Sequence, residues 1–320
     1  MSSSRRGRAC AAVLLTAWAA AACRQSPAES PPPPRLAAAT EVRELSPAPG
    51  TLALPLREGS IRFAVIGDSG RGDRAQQEVA AQMVAWRQQF PFEFVVMLGD
   101  NIYDRHTPAD YVQKFEAPYR LLLDAGVQFY AAIGNHDDSG QTNYAKFNMG
   151  GRRYYTFRKS ERRLAGLAGA GVRFFVLDSR SLDPEQLDWL REELAESGTH
   201  WKIAYFHHPI YTSGRYRGTA RALRIVLEPI LLEGHVDVVL SGHEHVYERI
   251  VPQNGILYFV SGAAGSLRRG DVRPSPITAR AFDTDYHFML MEIAGNELYF
   301  QAISRAGETV DAGVLVRPSP

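Results

Sequence analysis

The sequence predicts an α/β fold, and three observations support that prediction. Between residues 61 and 133, apolar runs of strand length alternate with segments of helical period, as in units of parallel strand and crossover helix. Several of these runs end in a polar or metal-binding side chain just after a glycine. Three further strands, predicted at 256–260, 287–293 and 297–303, close the chain without helices between them, which adds an α+β character.

The predicted elements follow from periodicity and composition. The helix expected at about 74–89 carries Val79, Met83 and Trp86 on one face. The helix expected at 184–196 begins with a proline, which is favoured in a first helical turn. The other predicted elements, in chain order, are strands at 61–66, 92–98 and 127–133, a helix at about 108–124, strands at 154–158, 172–177 and 201–206, a helix at about 219–233 and a strand at 236–240.

The N-terminal segment is predicted to be an export signal rather than part of the fold. Arginines precede an apolar stretch, 9–22, that is shorter than the roughly 20 residues a membrane-spanning helix needs. The stretch ends in Ala-Ala-Ala followed by Cys23, close to a bacterial lipoprotein signal in which the cysteine is lipidated. We therefore expect residues 1–22 to be a lipoprotein-type signal peptide, with an ordinary secretory signal as the alternative. The protein is then periplasmic, anchored to a membrane through a lipid on Cys23, or secreted.

Residues 23–58 are rich in proline, alanine and serine, including a run of prolines at 31–34. Such a stretch cannot build a core, so a semi-rigid tether is predicted there. Neither an internal repeat nor a domain-scale linker follows residue 60. One catalytic domain is therefore predicted at 59–320.

Composition limits the classes of function. Lys and Arg total 36 against 35 Asp and Glu, so no basic excess supports nucleic-acid binding. The only two cysteines are Cys10, inside the predicted signal, and Cys23. The exported body therefore has no internal disulfide, and its stability must come from the core or from metal.

Five predicted strand ends carry side chains with oxygen or nitrogen donors. They hold Asp68, Asp100 with Tyr103, Asn135 with His136, His207, and His243 with His245. Each position alone has an ordinary explanation, such as a turn or a helix cap. Ligands of α/β proteins gather at the carboxyl ends of strands, so the set together predicts one site. We expect Asp100 to hold two metal ions together there.

The order and spelling of these motifs resemble the calcineurin-like metallophosphoesterases, and among them the purple acid phosphatases. The resemblance runs from residue 67 to about residue 265. In the wider superfamily the first motif is usually Asp-x-His, but here it reads Asp-Ser-Gly from Asp68, without the histidine. The purple acid phosphatases use instead the tyrosine of a Gly-Asp-x-x-Tyr motif, which Tyr103 supplies here.

The resemblance implies a four-layer αββα sandwich of two mixed β-sheets flanked by helices. It also implies two metal ions bridged by Asp100. The remaining implied metal ligands are Asp68, Tyr103 and His245 at one site and Asn135, His207 and His243 at the other.

The resemblance also implies catalytic and substrate-binding residues. His136 would contact the phosphate and protonate the leaving group, with Asp137 orienting its imidazole. Small mammalian-type members carry a further active-site histidine where this chain has Arg215 or Tyr216, which makes His136 the preferred proton donor. The implied substrate contacts are Asn135, His136, His208 and Tyr216, although a purely structural role for His208 stays open.

Other conspicuous residues have ordinary interpretations. The tripeptide Arg-Gly-Asp at 71–73 is taken as a solvated loop beside the first motif. The remaining histidines, among them His106, His200, His235 and His287, are expected at the surface or in packing.

Tyrosinate is a hard oxygen donor whose free pKa of about 10 requires a strongly acidic metal. This favours Fe(III) at the tyrosine site, with a divalent Fe, Zn or Mn ion at the other. Such a pair attracts a phosphate dianion and acidifies a bound water to a usable nucleophile.

The expected function is therefore an exported dinuclear-metal phosphoesterase that hydrolyses small-molecule phosphomonoesters by attack of a metal-bound hydroxide. A phosphodiesterase or nucleotide pyrophosphatase on the same fold is the alternative. A binding lipoprotein that has lost turnover is a further alternative, from a different class. The sequence leaves the oligomeric state open.

Overall fold

Two seven-stranded β-sheets form the centre of the computed structural model, which describes residues 41–161, 171–198 and 200–317. The strands are β1 Val42–Glu44, β2 Ile61–Ile66, β3 Phe94–Met97, β4 Gln128–Ala131, β5 Tyr155–Ser160, β6 Gly171–Val176, β7 Trp201–Phe206, β8 Val238–Ser241, β9 Tyr247–Gln253, β10 Ile256–Ser261, β11 Thr278–Phe282, β12 His287–Ala294, β13 Glu297–Ser304 and β14 Thr309–Val316. The helices are α1 Arg74–Arg87, α2 Pro108–Tyr111, α3 Arg120–Asp124, α4 Pro184–Ala195 and α5 Arg217–Glu233. None of the helices in these ranges is both long and apolar enough to cross a bilayer.

Both sheets are mixed. The first has the strand order β1-β14-β13-β12-β2-β3-β4, in which β2, β3 and β4 run parallel. The second has the order β11-β9-β10-β8-β7-β6-β5, in which β10, β8, β7 and β6 run parallel. The predicted combination of two mixed sheets with flanking helices is confirmed. The parallel strands bring the carboxyl ends of β2, β3 and β4 to one edge, and those of β7 and β8 likewise.

The main core contains aromatic residues of both sheets that pack against one another. Phe63 of β2 packs edge-on against Phe174 of β6, with ring centroids 5.4 Å apart. Phe259 of β10 meets Phe300 of β13 in the same way at 4.9 Å. Burial of each such ring contributes roughly 1.5–3 kcal/mol before entropy is counted. These contacts fix one sheet against the other, and with them the strand ends that carry the site.

Helices cover the outer faces of the sheets. The predicted apolar face of α1 is confirmed, because Val79, Met83 and Trp86 are all buried in the main core. A second core contains Leu190 of α4 and Leu227 of α5, together with buried residues of β6 and β7. The α/β prediction therefore holds for the layers as well as for the order of elements.

The predicted helix at 108–124 is broken. It contains α2, a π-helical turn at Val112–Glu116 and then α3. Pro118 lies in the gap before α3 and has no backbone N–H to donate, so the helical ladder is interrupted there. Strands β1, β9, β11 and β14 were not predicted, and the other elements are present with small shifts at their ends.

The tether prediction is wrong for residues 42–58. Strand β1 pairs antiparallel with β14, and Leu54 is buried. The buried Glu292 carboxylate accepts hydrogen bonds from the backbone N–H groups of Leu56 and Arg57 at 2.9 and 2.6 Å. This segment is folded because its backbone groups form hydrogen bonds with strand β14 and with the Glu292 carboxylate. Amino-acid composition alone does not reveal these distant partners. The predicted signal peptide at 1–22 and the predicted tether up to residue 40 lie outside the described residues.

Candidate metal centre

Five parallel strands deliver the predicted site residues to one place. Each residue stands in the short segment just after its strand: Asp68 after β2, Asp100 and Tyr103 after β3, Asn135 and His136 after β4, His207 and His208 after β7, and His243 and His245 after β8. The structure therefore brings together side chains that are far apart in the chain.

The first cluster contains Asp68, Tyr103 and His245. The Tyr103 hydroxyl lies 3.4 Å from Asp68 Oδ1 and 3.2 Å from His245 Nε2. The same Nε2 lies 3.2 Å from Asp68 Oδ1. All three side chains are buried, and their three donor atoms form a triangle with sides between 3.2 and 3.4 Å.

The second cluster centres on His207. Its Nε2 lies 3.0 Å from Asn135 Oδ1 and 3.2 Å from His243 Nδ1. Its other ring nitrogen, Nδ1, lies 3.0 Å from the carbonyl oxygen of Leu98 and must donate to it. This hydrogen bond leaves a lone pair on Nε2, which is the form that binds metal.

Asp100 connects the two clusters. Its Oδ1 lies 3.4 Å from His207 Nε2 in the second cluster. Its carboxylate also groups with Asp68 and His245, with ligand atoms within 4.8 Å of one another. One carboxylate therefore reaches both sets of donors, as a bridging ligand requires.

The donor spacing fits metal coordination. Ligand atoms about 2.1 Å from a common ion lie about 3.0 Å apart at octahedral angles and about 3.4 Å apart at tetrahedral angles. The distances between 3.0 and 3.4 Å in both clusters match those edges. Nitrogen and oxygen donors of this kind suit iron, zinc and manganese.

The protonation equilibria also favour bound cations. Burial lowers the pKa of His243 to about 2 and that of His245 to about 3, and it lowers the pKa of His207 well below its usual value. These imidazoles are therefore neutral at pH 7 and carry available lone pairs. Burial first, and the charge of Asp100 next, raises the pKa of Asp68 well above its ordinary value. Cations would remove this repulsion between carboxylates.

Backbone strain is concentrated at the site. Asp68, Asp100 and His243 have φ values of 54°, 52° and 67°, in the left-handed region that non-glycine residues rarely adopt. Each such residue costs about 1–3 kcal/mol and persists only where its surroundings hold it. At these three positions the left-handed backbone conformation points the donor side chains in directions that a regular strand or helix would not allow.

Two glycines allow the backbone to approach the carboxylates. A Cβ on Gly134 would lie 2.2 Å from Asp100 Oδ1, and one on Gly242 would lie 2.5 Å from Asp68 Oδ2. Both distances are impossible for real atoms. The glycines that precede the motifs are therefore required by the site itself.

In the described residues Asp137 bonds to the loops around it, with no hydrogen bond to the His136 imidazole that it was predicted to orient. Its buried carboxylate accepts hydrogen bonds from the backbone N–H groups of Asn101, Ile102 and Gly134 at 2.9, 3.1 and 2.8 Å. It also accepts from the side-chain amides of Asn101 and Gln141 at 3.0 and 2.6 Å. Because these donors occupy the carboxylate, Asp137 holds the loop after β3 against the loop after β4. These hydrogen bonds support the two loops that carry the predicted metal ligands Asp100 and Asn135.

The predicted substrate contacts surround the mouth of the site. Asn135 and His136 are exposed, and the His136 ring lies 4.7 Å from the Tyr103 ring. The backbone N–H of His136 donates to Asp100 Oδ1 at 2.9 Å, which fixes the base of this side chain. The Tyr216 ring lies 4.2 Å from that of His243.

His208 lies beside the second cluster. Its ring is 4.4 Å from that of His243, and its Nδ1 lies 2.9 Å from the Ser179 hydroxyl. His208 also groups with His207 and His243 as a set whose ligand atoms lie within 4.8 Å of one another. It is therefore close enough for either a metal or a substrate contact.

Sequence reasoning missed two arginines at the site. The Arg71 guanidinium carbon lies 3.8 Å from the centre of the Tyr103 ring, so this residue is more than the solvated loop expected. Arg268 donates its backbone N–H to the carbonyl oxygen of His245 at 3.0 Å. Arg71 follows the first motif directly and was a detectable signal, whereas Arg268 follows β10, where the sequence offers no motif. His287 is buried in packing, as predicted.

Two mixed sheets with paired donor clusters at their strand ends define the class of metal-dependent phosphoester hydrolases. Comparison with known proteins agrees. A model of the calcineurin-like phosphoesterase family matches residues 61–247. The chain is 30% identical over 273 residues to purple acid phosphatase 4 of Arabidopsis thaliana, covering 76% of this chain and 80% of that protein. It is 28% identical over 291 residues to purple acid phosphatase 7 of the same plant, covering 82% and 88%.

A solved structure described as GAP50, the anchor in the inner membrane complex of Plasmodium, aligns with a TM-score of 0.73. Its sequence is 20% identical, with 81% of this chain and 90% of that chain covered, so the likeness concerns the fold. The chain belongs to the calcineurin-like phosphoesterase family, as a purple acid phosphatase-like member. The family implies a dinuclear metal centre, and the predicted enzyme class, a metal-dependent phosphoric ester hydrolase, is confirmed.

Proposed function

We propose that this chain is an exported phosphatase that hydrolyses phosphomonoesters with Fe(III) in the Tyr103 cluster and a divalent ion in the His207 cluster. The observation that carries the proposal is the shared position of Asp100 between two donor sets of different chemistry. Asp68, Tyr103 and His245 form one set, rich in oxygen, and the imidazole-rich set forms the other.

The oxygen-rich set supports the ferric assignment. Burial first, and the charges of Asp68 and Asp100 next, raise the pKa of Tyr103 above its ordinary value. Among protein groups alone, the phenol therefore keeps its proton at pH 7. Only a strongly Lewis-acidic ion displaces that proton, which favours Fe(III) over a divalent metal.

The chain's own residues perform the remaining tasks. A bound metal pair supplies Lewis-acid stabilisation of charge at phosphorus and activation of water. In hydrolysis a water oxygen bonds to phosphorus, the bond from phosphorus to the ester oxygen breaks, and the departing oxygen takes a proton. His136 is the donor of that proton, because it is exposed at the mouth and its backbone is fixed to Asp100. Asn135 and His208 are the proposed contacts of the phosphate oxygens, because Asn135 Oδ1 lies 3.0 Å from His207 Nε2 and the His208 ring lies 4.4 Å from the His243 ring.

The proposed location rests on the N-terminal sequence. Residues 1–22 have the pattern of an export signal and Cys23 that of a lipidation site. The connecting segment is shorter than predicted from composition, because the chain from Val42 onward belongs to the folded body. The proposed substrates are small-molecule phosphate esters outside the cytoplasm.

The test is hydrolysis of a chromogenic phosphomonoester by the purified, metal-loaded protein. Asp100→Asn is expected to remove most activity and to lower metal content, because it weakens both clusters together. The matched control is Asp124→Asn, which changes an exposed acid at the end of α3 and is expected to retain activity.

Three other outcomes would change the proposal. Faster hydrolysis of a phosphodiester than of the monoester would favour the phosphodiesterase alternative. Stoichiometric metal without turnover of any phosphate ester would favour a binding protein; the fold is compatible with this, since the GAP50 structure is described as an anchor. A colourless zinc- or manganese-only protein with full activity would contradict the iron assignment.

A further inference from the structure

Two guanidinium groups lie beside the first donor cluster. Arg71 stacks on the Tyr103 ring, and its Nε donates to the Ser266 hydroxyl at 2.8 Å. The side chain is otherwise exposed. The stacking and the hydrogen bond hold the guanidinium plane in place at the rim of the site.

Arg268 reaches the same region from the other side. Its Nη1 lies 3.5 Å from the His243 carbonyl oxygen and its Nη2 lies 3.4 Å from the Tyr216 hydroxyl. The guanidinium carbon also lies 5.3 Å from the centre of the Tyr216 ring. The side chain is half-buried, so its charge is only partly screened by water.

One short loop after β10 positions both arginines. Ser266 of this loop accepts from Arg71, and Arg268 is part of it. The backbone of this loop packs closely against the first motif, because a Cβ on Gly265 would lie 2.3 Å from the Ser69 carbonyl oxygen. Both guanidinium groups are therefore held at the rim of the site by contacts with neighbouring side chains and with this loop.

Within the described ranges neither guanidinium forms a salt bridge, and their hydrogen-bond partners are a serine, a tyrosine and a carbonyl oxygen. The carboxylates of Asp68 and Glu244 lie within the electrostatic reach of Arg268 and offset only part of the positive charge of the pair. Arg268 donates its backbone N–H to the His245 carbonyl oxygen at 3.0 Å, and Arg71 stacks on Tyr103, whose hydroxyl lies 3.2 Å from His245 Nε2. Both positive charges therefore lie next to the first donor cluster.

We propose that Arg71 and Arg268 form an anion subsite for a second phosphate, so that the preferred substrates carry a phosphate next to the one that is cleaved. This inference rests on the proposed phosphatase function. Two guanidinium charges complement the added phosphate, which carries roughly −1 as the inner phosphate of a diphosphate and roughly −1.5 to −2 once it is the terminal phosphate of the product. Guanidinium groups also fit phosphate oxygens in paired hydrogen bonds.

The reaction on such a substrate is hydrolysis of a phosphoanhydride. For a nucleoside diphosphate, water oxygen bonds to the terminal phosphorus and the bond to the bridging oxygen breaks. The products are inorganic phosphate and the nucleoside monophosphate, whose phosphate stays at the arginine pair until release. The same two arginine side chains therefore bind the phosphate that remains on the nucleoside, both before and after cleavage.

The experiment compares kcat/KM for ADP and for phenyl phosphate in the metal-loaded protein. Arg71→Gln and Arg268→Gln are each expected to lower kcat/KM for ADP about tenfold more than for phenyl phosphate, which corresponds to about 1.4 kcal/mol. Arg71→Lys is expected to restore part of the preference, since it keeps the charge. The control is Arg191→Gln, which removes the same charge from α4 beside Lys202, at the opposite end of β7.

Equal losses on both substrates, or no loss on either, would overturn the subsite. A wild-type protein that binds metal but cleaves neither substrate would instead defeat the proposed function. The subsite is then tested by calorimetry with methylenediphosphonate and methylphosphonate. Binding of the diphosphonate at least about tenfold tighter, lost in the double variant, would support the subsite without turnover, and equal affinities would reject it.

Discussion

The Tyr103 hydroxyl lies 3.2 Å from Nε2 of His245, and both atoms face Asp68 Oδ1. A phenol, an imidazole and a carboxylate in such a buried triangle leave little room for anything except a cation that all three bind. The contact between Tyr103 and His245 therefore marks the cluster with the oxygen-rich donor set, which is where we expect iron.

Replacing Tyr103 with phenylalanine removes the phenol oxygen and preserves the ring beneath Arg71. We expect loss of any tyrosinate-to-iron absorption band and at least about tenfold lower activity, because the first cluster keeps fewer donors. The measurement is a visible spectrum with metal analysis. Tyr111→Phe, at the partly buried end of α2, is the control and should keep the band. An unchanged spectrum in Tyr103→Phe would refute the assignment of this cluster to iron.

Gly134→Ala places a methyl group where Asp100 Oδ1 stands. The added Cβ would also lie 2.3 Å from the Asp100 backbone nitrogen, so both the carboxylate and the local backbone must shift. We expect lower metal content, a large loss of activity and a strained loop, with the secondary structure retained. Gly218→Ala is the matched control, because its Cβ meets open space at the start of α5. Metal content by elemental analysis and far-UV circular dichroism separate loss of the site from loss of the fold. Normal metal content in Gly134→Ala would contradict the close approach seen here.

Asp137→Asn replaces an acceptor by a group that also carries N–H donors, opposite the N–H groups of Asn101 and Gly134. We expect about 1–3 kcal/mol lower stability and 10–100-fold weaker metal binding. Burial and the charge of Asp100 raise the pKa of Asp137 to about 7, so this carboxyl is already poorly accommodated as an anion. Asp138→Asn, on the exposed neighbour, serves for comparison. A displaced pH–rate profile with intact metal binding would instead restore the orienting role that sequence reasoning gave to Asp137.

The buried His287 predicts a pH dependence of stability. Burial lowers its pKa from 6.5 to about 3. Between these values the unfolded chain binds a proton that the folded chain does not, so this contribution to stability is complete above about pH 6.5 and is lost as the pH falls. At pH 5 the loss is about 2 kcal/mol.

Replacing His287 with glutamine tests that dependence while keeping a polar group near the Ser261 hydroxyl. We expect the difference in unfolding free energy between wild type and variant to change by about 2 kcal/mol between pH 7.5 and pH 5, in favour of the variant at low pH. Denaturant titration at both pH values measures it. The exposed His235→Gln variant should show no such change, and parallel curves for His287→Gln would disprove the effect.

Glu292 anchors the segment that precedes β2. Glu292→Gln keeps only one good acceptor for the N–H groups of Leu56 and Arg57. We expect about 1–3 kcal/mol lower stability and faster proteolysis at residues 45–58, whereas the exposed Glu308→Gln should change neither. Equally slow cleavage of this segment in both variants would show that Glu292 does not anchor it, and rapid cleavage in the wild type as well would favour a tether.

Local patterns predicted much of the scaffold. The strand at 201–206 was predicted with the ends it has, and the face of α1 was predicted from its apolar spacing. Prediction failed where long-range pairing decides, as in β14, where a buried Asp311 is held by Arg249 at 2.7 Å. From sequence alone an acidic residue such as Asp311 indicates an exposed loop, because the arginine that pairs with it lies far away in the chain.

By itself the sequence determined which side chains stand at the ends of strands, because strand period and glycine breaks are properties of neighbouring residues. Only the tertiary structure decided which of them meet. It brought Asp100 between two donor sets, bonded Asp137 to the loops beneath them, and placed Arg71 on the Tyr103 ring and Arg268 beside Tyr216. The physical reason is that distances between remote residues depend on sheet order and core packing, which no local pattern encodes.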